Sequence, residues 1–284
     1  MKKHLILLII TVIPVLFSNK LSQAGIVTDG LVSYWTFDRA NIVNKTAKDV
    51  WGENNGKIVG NPKIVPGKIG EALEFDGNGD FVNLTTLGDF GEKFGQSTFE
   101  AWFKTSNKTD WMNLINTNGH QCPYWGIQFN GFKNRFEFEF NEGMIHFFLS
   151  LRNEAGTGCT TFGGGSTYFL NDGEWHHIAY IVDINLDDAS GQRYIYIDNK
   201  PPGISNMSFG HDRDFFPFSD PVYLGARNHK NIAQGFFEGM IDEGRFYDRP
   251  LTEEEVQQNF ESTHPYKVEP KGKLSTVWGE IKIQ

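Results

Sequence analysis

Residues 239–260 read GMIDEGRFYDRPLTEEEVQQNF, and how they are read decides the fold. The apolar positions from Gly235 to Asp248 predict a strand, and the residues after it a sharp turn. Thr252, with Glu255 three residues on, forms a capping box that opens a short helix, and Glu253, Glu254 and Glu255 suit the positive N-terminal end of that helix. Asp242 and Glu243 stand side by side in the middle of the strand. A strand that finishes a buried sheet has no obvious place for two adjacent carboxylates, because a buried charge must be paired.

The same alternation recurs along the chain. LVSYWTF (31–37), ALEFDG (72–77), STFEAWFKT (97–105), RFEFEF (135–140), WHHIAYIVD (175–183) and RYIYID (193–198) are rich in aromatic and β-branched residues and bounded by Gly, Asn, Asp or Pro. In STFEAWFKT, Phe99, Ala101 and Phe103 share one face; Glu100, Trp102 and Lys104 share the other, which is expected to be partly wet. With 31 glycines to make corners, the pattern is all-β: a sandwich of two antiparallel sheets with one short C-terminal helix.

Residues 1–24 have the form of a secretory signal. Lys2 and Lys3 precede an apolar run from Leu5 to Phe17, and Ser22-Gln23-Ala24 offers a cleavage site. The run is too short for a span of about 20 helical residues; an uncleaved anchor is the alternative. The expectation is a secreted, periplasmic or cell-surface protein starting at Gly25, without membrane insertion once the signal is removed. One domain over 25–263 and a tail over 264–284 follow from the patterning. Without Lys2, Lys3 and Lys20 the chain carries 23 basic and 35 acidic residues, a net charge of −12. Such a surface repels nucleic-acid phosphates and suits a neutral ligand or a divalent cation.

Cys122 and Cys159 are the two cysteines. In an exported chain an even pair points to a disulfide before a metal site or a nucleophile. The bridge would close a 37-residue loop, a gain of about 3–4 kcal/mol in the chain-entropy picture. Two reduced thiols are the alternative.

Taken in order, GLVSYWTFD (30–38), NNGKIVGNPKIVPGKIGEALEFDGNGDFVNL (54–84), STFEAWFKT, DGEWHHIAYIVD, RYIYIDNK, YLGARN (223–228) and FFEGMIDEGRFYDRPLTEEEV (236–256) resemble the laminin-G-like jelly-roll domains of the concanavalin A-like lectin/glucanase superfamily. The resemblance covers about residues 30–260 and implies a jelly-roll sandwich whose first and last strands meet. It departs at Gly244, where the family usually carries a β-branched residue, and this suggests a bulge or a close packing contact. The resemblance also implies calcium (Ca2+) at the meeting of those strands, with Asp242, Asp38, Asp49 and Asn54 as the expected ligands. The alternative is that Asp242 and Glu243 are satisfied by Arg245, Arg249 or backbone amides. Asp76 and Asp80 in FDGNGD form a rival pair better suited to a hairpin turn.

Glu137, Glu139 and Glu142 keep a spacing that resembles the catalytic strand of the jelly-roll glucanases, E-x-D-x-x-E, with Glu where those enzymes carry Asp. Two carboxylates on one strand face could flank a glycosidic bond; an ordinary amphipathic strand with Phe136, Phe138 and Phe140 inward reads the same residues without chemistry. His176 and His177 follow Trp175 as a fold marker rather than a catalytic pair. TFGGGST (161–167) is followed by no helix and is not a phosphate loop. Trp51, Trp111, Tyr124 and Trp125 lie in polar, loop-like contexts and are the expected sugar-stacking residues. The sequence therefore predicts an exported, calcium-stabilised domain that binds carbohydrate or a glycosylated partner without catalysis. A glycoside hydrolase using Glu137, Glu139 and Glu142, or a structural adhesive protein, are the alternatives.

Overall fold

The computed structural model describes residues 25–84, 96–108, 111–117, 124–129, 144–152, 159–165, 169–185, 190–200, 205–208 and 221–262. The expected signal (1–24), the tail (264–284) and the strand 135–140 lie outside the described residues.

Two large antiparallel sheets face each other as a jelly-roll sandwich. The eight-stranded sheet runs Ser205–Ser208, Ser190–Ile197, Trp175–Asn185, Gln96–Lys104, Glu238–Tyr247, Glu71–Asp76 and Lys63–Pro66, and Leu31–Trp35 joins it by pairing with Glu238–Tyr247. The nine-stranded sheet runs Cys159–Gly165, Ile145–Arg152, Tyr124–Phe129, Met112–Asn116, Val222–Leu224, Phe81–Leu84, Gly56–Val59, Thr46–Ala47 and Ile42–Val43. Period-two alternation places Leu73, Phe75, Phe99, Phe103, Ile178, Tyr180 and Phe246 on the inner face of the first sheet, and Val82, Leu84, Ile115, Trp125, Ile127 and Leu149 on the inner face of the second.

The closing strand, Glu238–Tyr247, lies near the middle of its sheet. Along one side it pairs with Gln96–Lys104; along the other it pairs first with Glu71–Asp76 (through Met240 and Ile241) and then with Leu31–Trp35 (through Gly244 and Arg245). A bulge between Asp242 and Arg245 marks the change of partner. The left-handed residue there is Glu243, with φ of 55°, so the departure from the family pattern at Gly244 does coincide with a bulge.

The second face of STFEAWFKT is not wet along its length, and this corrects the sequence expectation. Glu100 and Trp102 are buried, because a helix, α1 (Glu253–Glu261), and the segment around Ile26 and Val27 cover that face. The predicted capping box is present: Thr252 Oγ1 accepts from Glu255 N–H, and the Glu255 carboxylate accepts from Thr252 N–H. Nine residues are too few to hold a helix in water alone. Leu251 and Val256 dock it into the cluster of Ile26, Leu31, Tyr34, Ile181 and Tyr247, each buried aliphatic chain contributing about 1.5–3 kcal/mol.

Candidate functional site

The two adjacent acids of the closing strand are explained by the change of partner. Where Glu71–Asp76 gives way to Leu31–Trp35, the turn 67–70 runs past with unpaired N–H groups, and Asp242 Oδ2 accepts from Lys68 N–H (2.9 Å) and Ile69 N–H (3.0 Å). Asp38 Oδ1 accepts from Glu71 N–H at 2.8 Å, just past the end of the same turn. A Cβ at Gly67 would stand 2.6 Å from Asp242 Oδ2, and one at Gly70 would stand 2.4 Å from Asp38 Oδ1, so the turn needs both glycines for this close approach. Glu243 takes the opposite route: its Oε2 accepts from the Tyr34 hydroxyl and from Arg245 Nη2 at 2.7 Å. Burial, the Glu243 charge and, further off, Asp38 push the Asp242 carboxyl up to about 8 against the pull of the two amides. Burial also raises Glu243, opposed by Arg245.

The four expected calcium ligands do not form one shell. Asp49 spends both oxygens on its own loop and the first strand: Oδ1 accepts from the N–H groups of Tyr34, Trp51 and Gly52, and Oδ2 from that of Asn54. Asn54 donates to Ser33 Oγ, and its carbonyl accepts from Trp35 Nε1. Asp242 Oδ1 has no partner, and among the described residues no three His, Cys, Asp or Glu side chains gather to hold a metal ion. Calcium wants six to eight oxygens, and this donor set does not fit it. Asp80 serves its hairpin, accepting from Asn61 and Asp76 N–H groups, while Asp76 accepts from Asn78 N–H.

The four expected aromatics are in three different places. Trp125 is a core residue, packed against Phe99, Tyr180 and Phe246 with centroids 6.0, 5.9 and 6.3 Å away. Its strand alternation points it inward, which the polar neighbours in sequence concealed. Trp51 packs against the cluster under α1. Tyr124 and Trp111 lie at the outer face of the nine-stranded sheet, Tyr124 edge-on to Phe148 and Trp111 under the Arg227 guanidinium. Matching register carries Asn83, Tyr223, Asn116, Gly126 and Phe148 across that face. Asn83 Oδ1, Asn113 Oδ1, both polar atoms of the Asn116 amide and the Trp111 indole N–H are buried there without a partner.

An open cleft of about 660 Å³ lies at the far end of the eight-stranded sheet. Its floor is the outward row Lys63, Glu74, Met240 and Lys104, neighbours in register on four successive strands. Asn61, Asp76 and Asp80 form one wall, and Thr105, Ser106, Asn107 and Glu238 the other. The second wall is held rigid: Thr105 Oγ1 donates to Glu238 O (2.7 Å) and accepts from Asn107 N–H (3.1 Å), and the Asn107 amide donates to the Glu238 carboxylate. The cleft thus sets fixed donors and acceptors beside the apolar residues Phe75 and Met240. Sequence patterning pointed only to Asp76 and Asp80 here. The outward charges at 63, 74 and 104 looked like ordinary solvated positions.

The laminin G-type family model of the concanavalin A-like lectin/glucanases superfamily matches residues 76–257. The chain belongs to that family. No curated protein matches it. Among solved structures, this laminin G-type domain is similar to domain 4 of AbnA, an extracellular arabinanase from Geobacillus stearothermophilus, in complex with arabinotriose (TM-score 0.53, 16% identity, covering 81% of this chain and 97% of that one). It is also similar to the binding domain of Paraclostridial Mosquitocidal Protein 1 (0.54, 17%, 82% and 52%) and to Trypanosoma rangeli sialidase (0.54, 17%, 84% and 34%). It thus spans about half of the second chain and a third of the third. At these identities the likeness is one of fold.

In this laminin G-type domain the expected glucanase acids Glu137, Glu139 and Glu142 lie outside the described residues, as does Cys122, the expected partner of Cys159. The Trp-His-His marker is structural: His176 Nδ1 meets Asp198 (2.8 Å) and Nε2 meets Asp172 (3.0 Å), and the two carboxylates raise its pKa against burial. No helix among the described residues is long and apolar enough to cross a membrane.

Proposed function

We propose that this domain is a recognition module that binds carbohydrate, free or on a glycosylated partner, in the polar cleft at the end of the eight-stranded sheet, and does not cut it. The observation that carries this reading is the cleft itself: open, rigidly walled, and lined by the amides, carboxylates, hydroxyls and ammonium groups that pair with sugar hydroxyls. The arabinotriose complex of one structural neighbour supports the same class of ligand. A second reading places the sugar on the outer face of the nine-stranded sheet, favoured by the unpartnered Asn116 amide and Asn113 Oδ1.

A glycan array identifies the ligand, and affinity gels then separate the sites. Lys104→Ala and Glu238→Gln should each weaken retention about tenfold, the loss of one good polar contact, while Asn116→Leu leaves it unchanged. The reverse pattern moves the site to the amide face. An array with no bound glycan, or depolymerisation of any glycan by the purified protein, overturns the reading.

A further inference from the structure

We propose that His176, protonated on both ring nitrogens, is a positioning residue that clamps one wall of the polar cleft, and that loss of its proton loosens that wall. The inference rests on the reading of that cleft as the binding site. Position 176 is in register with Phe103, on the inner face of the eight-stranded sheet. The imidazole is buried, 5.8 Å from the Phe103 ring. Its Nδ1 lies 2.8 Å from Asp198 Oδ2 and its Nε2 lies 3.0 Å from Asp172 Oδ1. An ionised carboxylate only accepts, and a neutral imidazole has one N–H to donate. Carboxylate oxygens within hydrogen-bonding distance of both nitrogens therefore call for the imidazolium.

The two acids differ in what holds them. Asp198 is fixed just past Ser190–Ile197: its Oδ1 accepts from His177 N–H (3.0 Å), and its own N–H donates to His177 O (3.0 Å). Asp172 lies in the turn that leads into Trp175–Asn185, its side chain half-exposed, and its Oδ1 also accepts from Glu174 N–H at 2.8 Å. That turn backs the cleft wall. Gly173 lines the cleft, its N–H donates to Thr105 O (2.9 Å), and the Asn171 amide donates to Asn107 O (3.2 Å). Thr105 and Asn107 are the residues that hold Glu238 in place. A hydrogen-bonded path thus runs from the imidazole through the turn to the wall.

The charged groups facing the ring are the two acids, with Lys200 beside Asp198. Burial pulls the imidazole down, but the hydrogen bonds and charges of Asp198 and Asp172 outweigh it and leave the pKa raised above the ordinary 6.5. A histidine raised in this way keeps its clamp below 6.5 and loses it as pH climbs through the raised value. The one N–H that then remains goes to Asp198, the more buried and more firmly held acceptor. The Nε2 lone pair faces the Asp172 carboxylate, and their repulsion releases the turn.

The test uses the full chain without sugar, from about pH 5.5 to 9, a range that brackets an upward-shifted histidine. Nitrogen NMR follows the His176 ring, and hydrogen exchange, corrected for intrinsic rate, follows the Gly173 and Asn107 amides. In the wild type both ring nitrogens should be protonated at the acid end, with a midpoint above 6.5. Protection of the two amides should fall roughly tenfold across the same midpoint. Asp172→Asn offers an amide to a bare Nε2 and an oxygen to a protonated one, so its protection should stay high at every pH. His176→Gln can donate to only one of the carboxylates at a time and should sit at the alkaline wild-type level throughout. A ring with one proton at the acid end overturns the clamp, as does protection that stays flat while the ring titrates. A fall that persists in Asp172→Asn assigns the pH effect to Glu100 or Asp242 and also overturns it. Should His176→Gln not fold, Asp172→Asn, changed at a half-exposed side chain, decides. Because no sugar is present, an empty glycan array overturns the binding reading alone, and a flat wall overturns the clamp alone.

Discussion

Asp38 and Asp242 hold the same turn from opposite ends of the chain. One carboxylate accepts from Glu71 N–H just past the turn, and the other from Lys68 and Ile69 within it. The hairpin Lys63–Pro66/Glu71–Asp76 is thus fastened to the strands that open and close the fold.

Asp242→Ala removes the acceptor for two backbone N–H groups and should destabilise the domain by about 2–4 kcal/mol in urea unfolding, since each buried orphan costs about 1–3 kcal/mol. Asp242→Asn keeps a carbonyl acceptor and should come within about 1 kcal/mol of the wild type at neutral pH. Equal losses for the two would show that the charge, not the acceptor, holds the turn.

Stability should fall as the pH rises from about 6.5 to 8. Glu100 and Asp242 have folded-state values raised to about 7 and about 8, and Glu243 is raised as well. Groups raised in the folded state contribute stability below their unfolded values and lose it as pH climbs through the folded ones. The buried His177 and His146, lowered to about 3 and about 4, act the other way, their stability being lost as pH falls from 6.5 through those values. Thermal melts across the range check the sign. A melting temperature that rises between neutral pH and 8 contradicts it.

Because Asp49 and Asn54 are committed to their own loop and to the strand Leu31–Trp35, a chelator should leave the melting curve at neutral pH unchanged. A lowered melting temperature that calcium restores, and that Asp242→Asn abolishes, would return a cation to the Asp242 carboxylate.

Gly244→Ala should be neutral or stabilise by up to about 1 kcal/mol, as expected where the backbone needs no glycine. The added methyl would meet Trp35 and Phe37 at 3.5 and 3.6 Å, ordinary contact. Gly239→Ala is the contrast: φ there is 143° and a Cβ would stand 2.3 Å from Lys104 O, so that variant should be clearly destabilised in the same urea titration.

Thiol titration of the denatured, unreduced protein checks the expected Cys122–Cys159 bridge. No free thiol is the expected result, and two free thiols would remove the bridge.

Period-two alternation is enough to make most of the sandwich legible. Strands such as Gln96–Lys104 and Trp175–Asn185, and the Thr252 capping box, are local signals that tertiary packing reinforces. What stayed hidden depends on partners distant in sequence. Glu100 looked solvent-facing because nothing in STFEAWFKT reveals that Asn259 will cover it. Asp49 looked like a metal ligand because its four backbone donors come together only when the loop closes. Trp125 looked like a binding residue because its neighbours are polar, although its own position points inward. The floor of the cleft is a row across four strands, and no linear stretch contains it.

The midline position of Glu238–Tyr247 also sets the order of events in time. Gln96–Lys104 and Glu71–Asp76 have no neighbour between them until this late segment has emerged, so a chain made from its N-terminus carries two incomplete half-sheets through most of its synthesis. Closure must then bridge most of the length of the domain, and such non-local pairing makes folding slow. A cut just before residue 238 would therefore remove the seam of the sandwich, where a cut near an edge would trim only its margin.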